Sequence, residues 1–388
     1  MLMDFCHKAK NLYNHANYVV RQEFTSGNRW VRYAELDKIL KTDSEYPDYA
    51  AMPSAQSSQQ ILRLLDKNWK SFFTSIKDWK KHPGKYPGRP KLPKYLKKEG
   101  KYLLILTNQN CRLKNGLIYF PKSFEGFTVK PAFTEKPGFL AFNQARIIPH
   151  RNKLVVEIIY TINRQTQKQD NGRHIGIDIG INNLMTVCNS FGGAAFIVNG
   201  KPVKAANQFY NKEISHYREI CKRMNGRDYT GRMDMLTGKR NAKIDDYLHK
   251  ASRYVVDYCV KNEVSVIVIG KNDEWKQNSK LSKRMNQHFV QIPFARLIEM
   301  IRYKAEECGI AVVMTEESYT SGTSFIDNEE PAKENYNRNR RMYRGLFRSN
   351  DGILINADLN GAYQILKKVF TIKCDRGCAL HPAVVNLG

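Results

Sequence analysis

The sequence predicts a multidomain α+β chain: a helical N-terminal region, a small β-barrel, and an α/β domain over the second half. Three observations predict it. Apolar residues recur at helical spacing through about the first 80 positions, at strand spacing from 101 to 165, and in alternating strand and helix blocks from 174 onward. A length of 388 residues suffices for two or three domains with buried cores, and a hydrophobic fraction of 42% is ordinary for globular proteins. The expected divisions are 1–98, 99–168 and 172–388, the last with a helical insertion at 205–262.

Charge is the outlying property. Lys and Arg total 63 against 37 for Asp and Glu, a net charge of +26. A chain this basic is suited to a polyanion, nucleic acid before anionic membrane; a basic surface kept for solubility is the plainer alternative. Of the eight cysteines only Cys374 and Cys378 lie close together, in "CDRGC". One such pair is half of a four-ligand zinc site. Scattered thiols fit a reducing compartment better than a disulfide framework. The apolar run "VSVIVI" is too short to span a bilayer, and "MLMDFCHKAKNLYN" lacks the apolar core of a signal peptide. The cytoplasm of a bacterium or archaeon is the expected location, with no membrane partner.

Within the first region, Leu12, Ala16, Val19 and Val20 share a helix face, and Ile61, Leu64, Leu65, Trp69, Phe72, Phe73 and Ile76 form a second stripe. Core packing is the simplest role for that aromatic stripe. "KKHPGKYPGRPKLPKYLKK", residues 80–98, carries eight Lys or Arg, no acid and four prolines. Proline excludes a regular helix there. An extended basic arm with Tyr86 and Tyr95 interleaved can follow a phosphate backbone and stack on bases, or be a solvated linker. "KYLLILTNQNCRLKNGLIYFPK", "FTVKPAF" and "QARIIPHRNKLVVEIIYTI" read as short strands between turns, hence the barrel. "RQTQKQDNGRH" is a polar linker, and strands are expected at 174–179, 184–189, 264–271 and 309–318, with helices between them and after "ILINADLNGAYQILKKVF" begins.

Asp178 poses a chemical question, because it stands among Ile175, Ile177 and Ile179 in "HIGIDIGINNLMTV". A lone carboxylate in a strand core requires a cation or metal ion as partner. Glu316 and Glu317 end the strand "AVVMTEES", and Asp358 opens a helix two residues after Asn356. Neighbouring parallel strands bring such ends together. Converging carboxylates repel one another and call for divalent cations; magnesium takes hard oxygen ligands, and a pair of ions about 3.5–4 Å apart assists phosphodiester hydrolysis. Spacing alone leaves the blander roles open: a surface or capping pair for the glutamates, an N-cap for Asp358.

Several stretches resemble one family. "GIDIGINNLMTV" is similar to the first catalytic motif of the RuvC-like, RNase H-fold domain of TnpB proteins, transposon-associated RNA-guided nucleases related to type V CRISPR effectors. "NADLNGAYQI" is similar to the third motif, whose aspartate falls on Asp358, and "ESYTSGTSF" resembles the "YTSQTC" segment between them. The "GRPK" arm and "FPK" region resemble the family's N-terminal half, so the likeness covers nearly the whole chain, although the start falls within a helix and lacks the family's leading strand.

The resemblance implies an RNA-guided DNA endonuclease with Asp178, a glutamate and Asp358 on two magnesium ions, manganese being an alternative. It implies a guide RNA and double-stranded DNA with a short adjacent motif as partners. Two departures stand out. The second acid usually ends the strand matching "VSVIVIG", where this chain has Gly270; Glu317, nearer the strand end than Glu316, is the expected replacement, and Asp273 is an outside candidate. The family's two cysteine pairs are absent from the degenerate zinc-ribbon segment 319–355, which has six basic residues instead: Lys333, Arg338, Arg340, Arg341, Arg344 and Arg348. No zinc is expected there. Lys85, Arg89, Lys91, Lys94, Lys271, Lys276, Tyr319, Arg344 and Arg348 are the candidate nucleic-acid contacts. Other classes of activity are a nuclease-inactive RNA-guided repressor, motivated by Gly270, and an accessory transposase that joins DNA ends without RNA.

Overall fold

The computed structural model describes residues 1–135, 138–150, 153–163, 165–225, 229–271, 291–343, 345–372 and 380–387. Two compact units divide the chain, Met1–Asn163 and Arg164–Gly388. No described helix is long and apolar enough to cross a membrane.

In the first unit, helices α1 (Leu2–Gly27), α2 (Tyr33–Thr42) and α3 (Ala55–Lys81) precede six strands. Leu12, Ala16 and Val20 of α1 are buried in one core with Ile61, Leu65 and Trp69 of α3. The Trp69 indole N–H donates to Asn17 Oδ1 at 3.1 Å, so the aromatic stripe is core with its polar atom satisfied. The expected barrel instead takes the form of two open three-stranded sheets. One joins β1 (Leu104–Thr107), β5 (Phe139–His150) and β6 (Lys153–Ile162); the other joins β2 (Arg112–Lys114), β3 (Leu117–Tyr119) and β4 (Thr128–Val129). Strands of two or three residues in the second sheet are too short to close a barrel.

The basic arm is extended, as its prolines require, and a polar stripe on α1 holds its backbone. Lys10 Nζ donates to the Lys98 carbonyl at 2.7 Å, Asn14 exchanges bonds with the Leu96 backbone, and Asn17 and Arg21 donate to the Pro93 carbonyl. Asp78 accepts from both Lys85 and Tyr86, so the Tyr86 ring is tied to α3 rather than presented for stacking.

The second unit centres on a six-stranded sheet ordered β11-β10-β7-β8-β9-β15. Its strands are β7 (His174–Ile179), β8 (Asn183–Asn189), β9 (Phe196–Asn199), β10 (Val266–Gly270), β11 (Ala311–Thr315) and β15 (Ala383–Val385). Only β8 runs against the others. The helical insertion is two helices, α4 (Lys201–Asn225) and α5 (Gly231–Lys261), the second capped by the Thr230 hydroxyl accepting from the Met233 N–H. With α6 (Phe294–Glu307), α5 covers one face, where Ile175, Ile177, Ile179, Ile267 and Ile269 are buried. A small sheet of β12 (Arg341–Tyr343), β13 (Leu346–Arg348) and β14 (Leu354–Asn356) runs directly into α7 (Ala357–Lys367). Val266 and Val268 bury with α7 on the opposite face.

Strand alternation therefore aims Gly176 and Asp178 at α7, away from the isoleucines. A Cβ at Gly176 would lie 2.5 Å from the Ala362 carbonyl oxygen and 2.9 Å from Leu366 Cβ. The missing side chain is what lets the helix backbone approach the strand. Gly176→Ala is expected to lower stability by about 1–3 kcal/mol through overpacking; an unchanged urea midpoint would refute this account of the contact.

Candidate acid site

Asp178 pairs across the sheet with Thr186 on β8. On its other side, Ile177 pairs with Ile269, which places Gly270 beside Asp178 on β10. Above the strand, a Cβ at Gly361 of α7 would come 3.0 Å from Asp178 Oδ2. The carboxylate thus lies under the first turns of the helix, in space that a glycine leaves open.

Glu317 occupies the place above Gly270. A Cβ added there would lie 2.7 Å from Glu317 Cγ and 2.9 Å from its Oε1. The strand was expected to end in the two glutamates, but β11 ends at Thr315 and both acids follow it. A turn sets their directions: Thr320 donates to the Glu317 carbonyl through its N–H at 3.3 Å and its hydroxyl at 2.8 Å, and Tyr319 adopts φ 67°. Glu317 turns inward, half-buried, whereas Glu316 is exposed, accepts a hydrogen bond from the Ser318 hydroxyl, and lines a surface hollow with Lys271 and Arg302.

Asp358 is the second residue of α7 and does not cap it. Asn356 Oδ1 is the cap, accepting from the Asp358 and Leu359 N–H groups at 3.0 and 3.1 Å. Asp358 Oδ2 accepts from Asn183 Nδ2 at 2.6 Å, and Oδ1 faces the Arg341 guanidinium at 3.3 Å. Sequence reasoning assigned neither Asn183 nor Arg341 to this site. Asn183 stands inside the quoted first motif and Arg341 among the loop cations, but only the fold shows that each meets Asp358.

Electrostatics link the three acids. Burial, then the charges of Glu317 and Asp358, raise the Asp178 carboxyl well above its ordinary range, with Arg341 opposing. Burial pushes Glu317 up to about 7, against the pull of Lys368. All three side chains offer hard oxygen donors of the kind divalent cations take. As placed, however, no group of three or more His, Cys, Asp or Glu among the described residues could hold a metal ion. Asn183 and Arg341 hold the oxygens of Asp358.

Of the other candidates, Arg89, Lys91 and Lys94 are exposed on the arm, and Lys85 is exposed but paired with Asp78 at 2.9 Å. Lys271 is exposed immediately after β10, its N–H donating to the Thr315 carbonyl at 2.8 Å. Tyr319 is exposed with its ring edge-on to Tyr336, and Arg348 is exposed on β13. Lys276, Arg344, Asp273, Cys374 and Cys378 lie outside the described residues.

A pH dependence follows from the raised glutamate. The folded protein keeps a proton on Glu317 to about pH 7, whereas the unfolded chain releases it near 4.5. Its contribution to stability is therefore present below about pH 4.5 and lost as pH rises through 7. Metal-free wild type is expected to lose more thermal stability than Glu317→Gln between pH 5 and 7.5, as checked by melting curves; equal losses would contradict a buried, protonated Glu317.

Two family models match the chain: a probable transposase, OrfB of IS605, over residues 157–276, and a Cas12f1-like TNB domain over residues 294–365. The endodeoxyribonuclease Cas12f2 of a Micrarchaeota archaeon is 26% identical over 281 residues, covering 69% of this chain and 48% of that protein. The TnpB-like protein MJ0751 of Methanocaldococcus jannaschii is 28% identical over 89 residues, covering 23% of this chain and 32% of its own length. The chain thus spans about half or less of the length of these curated relatives. A solved complex of Cas12f1 with sgRNA and target DNA aligns at a TM-score of 0.40 and 12% identity, over 95% of this chain and 94% of that one. The two domain matches, which between them take in Asp178, Glu317 and Asp358, together with these relatives, support a TnpB-like family for this chain.

Proposed function

We propose that the protein is an RNA-guided DNA endonuclease whose RuvC-like active site is formed by Asp178, Glu317 and Asp358. The observation that carries this reading is the side chain of Glu317 filling the space over Gly270, beside Asp178. A carboxylate that enters from the end of β11 thereby stands where one from β10 would stand. The parallel order of β11, β10 and β7, with antiparallel β8 beyond, supports an RNase H-like domain. The names of the relatives, a Cas12f2 endodeoxyribonuclease and a TnpB-like protein, support the nuclease class.

In this reading Asp178, Glu317 and Asp358 are the residues that would hold two magnesium ions, or manganese in their place, and such ions would supply the positive charge that phosphodiester hydrolysis needs. The chain's own groups prepare the site. Asn183 fixes the rotamer of Asp358, and Arg341 balances its charge from the rim at 3.3 Å. A guanidinium so placed can also donate hydrogen bonds to an arriving phosphate. Guide RNA supplies target choice by base pairing, while exposed cations such as Arg89, Lys91 and Lys94 contact backbone phosphates and the protein reads a short adjacent DNA motif. The helical region and small sheets form the recognition part of this assembly, and Lys271, Tyr319 and Arg348 contribute contacts near the cutting domain.

The engagement of Asp358 by Asn183 and Arg341 favours a second reading, guided DNA binding without cleavage. A cleavage assay with magnesium and a matched guide separates the two. Asp178→Ala and Asp358→Ala are each expected to lower cleavage roughly a thousandfold or more, the order found when a catalytic group is removed, and to leave guide binding intact; Glu316→Ala should cut normally. Glu317→Gly should be inactive, and adding Gly270→Glu to it should restore part of the activity. Full cutting by Asp178→Ala or Asp358→Ala rules out the assignment.

A further inference from the structure

The zinc ribbon implied for residues 319–355 does not fit this chain. Residues 318–372 contain neither cysteine nor histidine, so the soft donors of a structural zinc site are missing. The segment nevertheless has defined turns, the three-stranded β12–β14 sheet and buried Phe325, Phe347 and Ile355. Some other centre must tie its turns together.

That centre is Glu329. Its Oε2 accepts from the Ser324 N–H at 2.8 Å and from Arg340 at 2.6 Å, and its Oε1 accepts from Asn350 Nδ2 at 3.4 Å. Arg340 also donates to Asn350 Oδ1 at 2.6 Å, and the Asn350 N–H donates to Asp327 at 2.9 Å. Both partners of the ion pair are only 16% exposed. One carboxylate thus connects three separate turns, as a metal connects ligands drawn from separate loops.

The outer face of α7 completes the fastening. Asn360 accepts from the Phe325 N–H at 3.0 Å and donates to the Thr323 carbonyl at 2.8 Å. One turn on, Gln364 donates to the Glu329 carbonyl at 3.2 Å; Lys367 donates to the Asn328 carbonyl at 2.6 Å and pairs with Glu330 at 3.1 Å. Tyr363 stacks on Phe325 with centroids 4.4 Å apart.

We propose that the Glu329–Arg340–Asn350 knot replaces the zinc centre, so that this segment folds without metal, and that it positions the neighbouring Arg341 against Asp358. A charge pair with its remaining oxygen satisfied is stable at this depth, and removing one partner leaves the other charge buried alone. The mechanism also sets an order: the knot holds residue 340, residue 341 begins β12, and β14 leads into the helix that carries Asp358.

The test uses the full-length chain. Wild type dialysed against a zinc chelator is expected to keep its resistance to trypsin at Lys333, Arg338 and Arg341. Glu329→Ala is expected to speed cleavage at those sites by roughly tenfold or more, because local opening governs proteolysis. Glu329→Gln, which keeps one acceptor oxygen but loses the charge and the second acceptor, should fall between them. Chelator-induced loss of trypsin resistance at those sites, or unchanged proteolysis of Glu329→Ala, overturns the proposal. These readouts do not use DNA cleavage, so they stand or fall separately from the nuclease assignment.

Discussion

The backbone-to-backbone approach of α7 to β7 is the constraint on which the acid site depends. Gly176 removes the side chain that would collide with the Ala362 carbonyl, and Gly361 removes the one that would crowd Asp178. With both absent, the helix lies close enough for its first turn to hold Asp358 within electrostatic reach of Asp178. The cost falls on Asp178, whose charge is disfavoured by burial and by the neighbouring Glu317 and Asp358. Part of it is met by local partners: Arg341 and Asn183 at Asp358, and the Lys368 charge near Glu317.

The same helix fastens two things at once. Asn360, Gln364 and Lys367, spaced by four and three residues, share one face and hold the 323–330 turn, while Gly361 turns toward the sheet. A rotation of α7 that moved Asp358 would also break the turn's hydrogen bonds. Precision at the acid site is therefore tied to the order of the segment that lies over it.

Much of this was legible in the sequence because it depends on local pattern. The alternation of "HIGIDI" fixed a strand, and "NADLNGAYQIL" a helix start, from periodicity and capping chemistry alone. The expectation of a barrel was not met as stated, since nothing in short strands specifies whether their edges meet. Asn183 and Arg341 escaped assignment for a related reason: they lie 175 and 17 residues from Asp358, and only the pairing of strands brings them there. Glu317 was expected for its nearness to the strand end, yet its direction is set by a turn in which Tyr319 takes a left-handed conformation. Periodicity carries no information about a side chain that lies past the last paired residue.

Gly270 shows why an absent acid in one strand is weak evidence of a lost site. The sheet pairs Gly270 with Thr315, so a side chain rooted two residues beyond Thr315 begins in the neighbouring row. A glutamate is long enough to lean back across that row, provided the residue beneath it has no Cβ. A Cβ at Gly270 would lie 2.5 Å from Ile365 Cδ1 and 2.7 Å from Glu317 Cγ, so a side chain there and the present Glu317 rotamer compete for the same space. Acid on β10 with a small residue after β11, and glycine on β10 with acid after β11, are two ways to bring a carboxylate toward Asp178; this chain has the second.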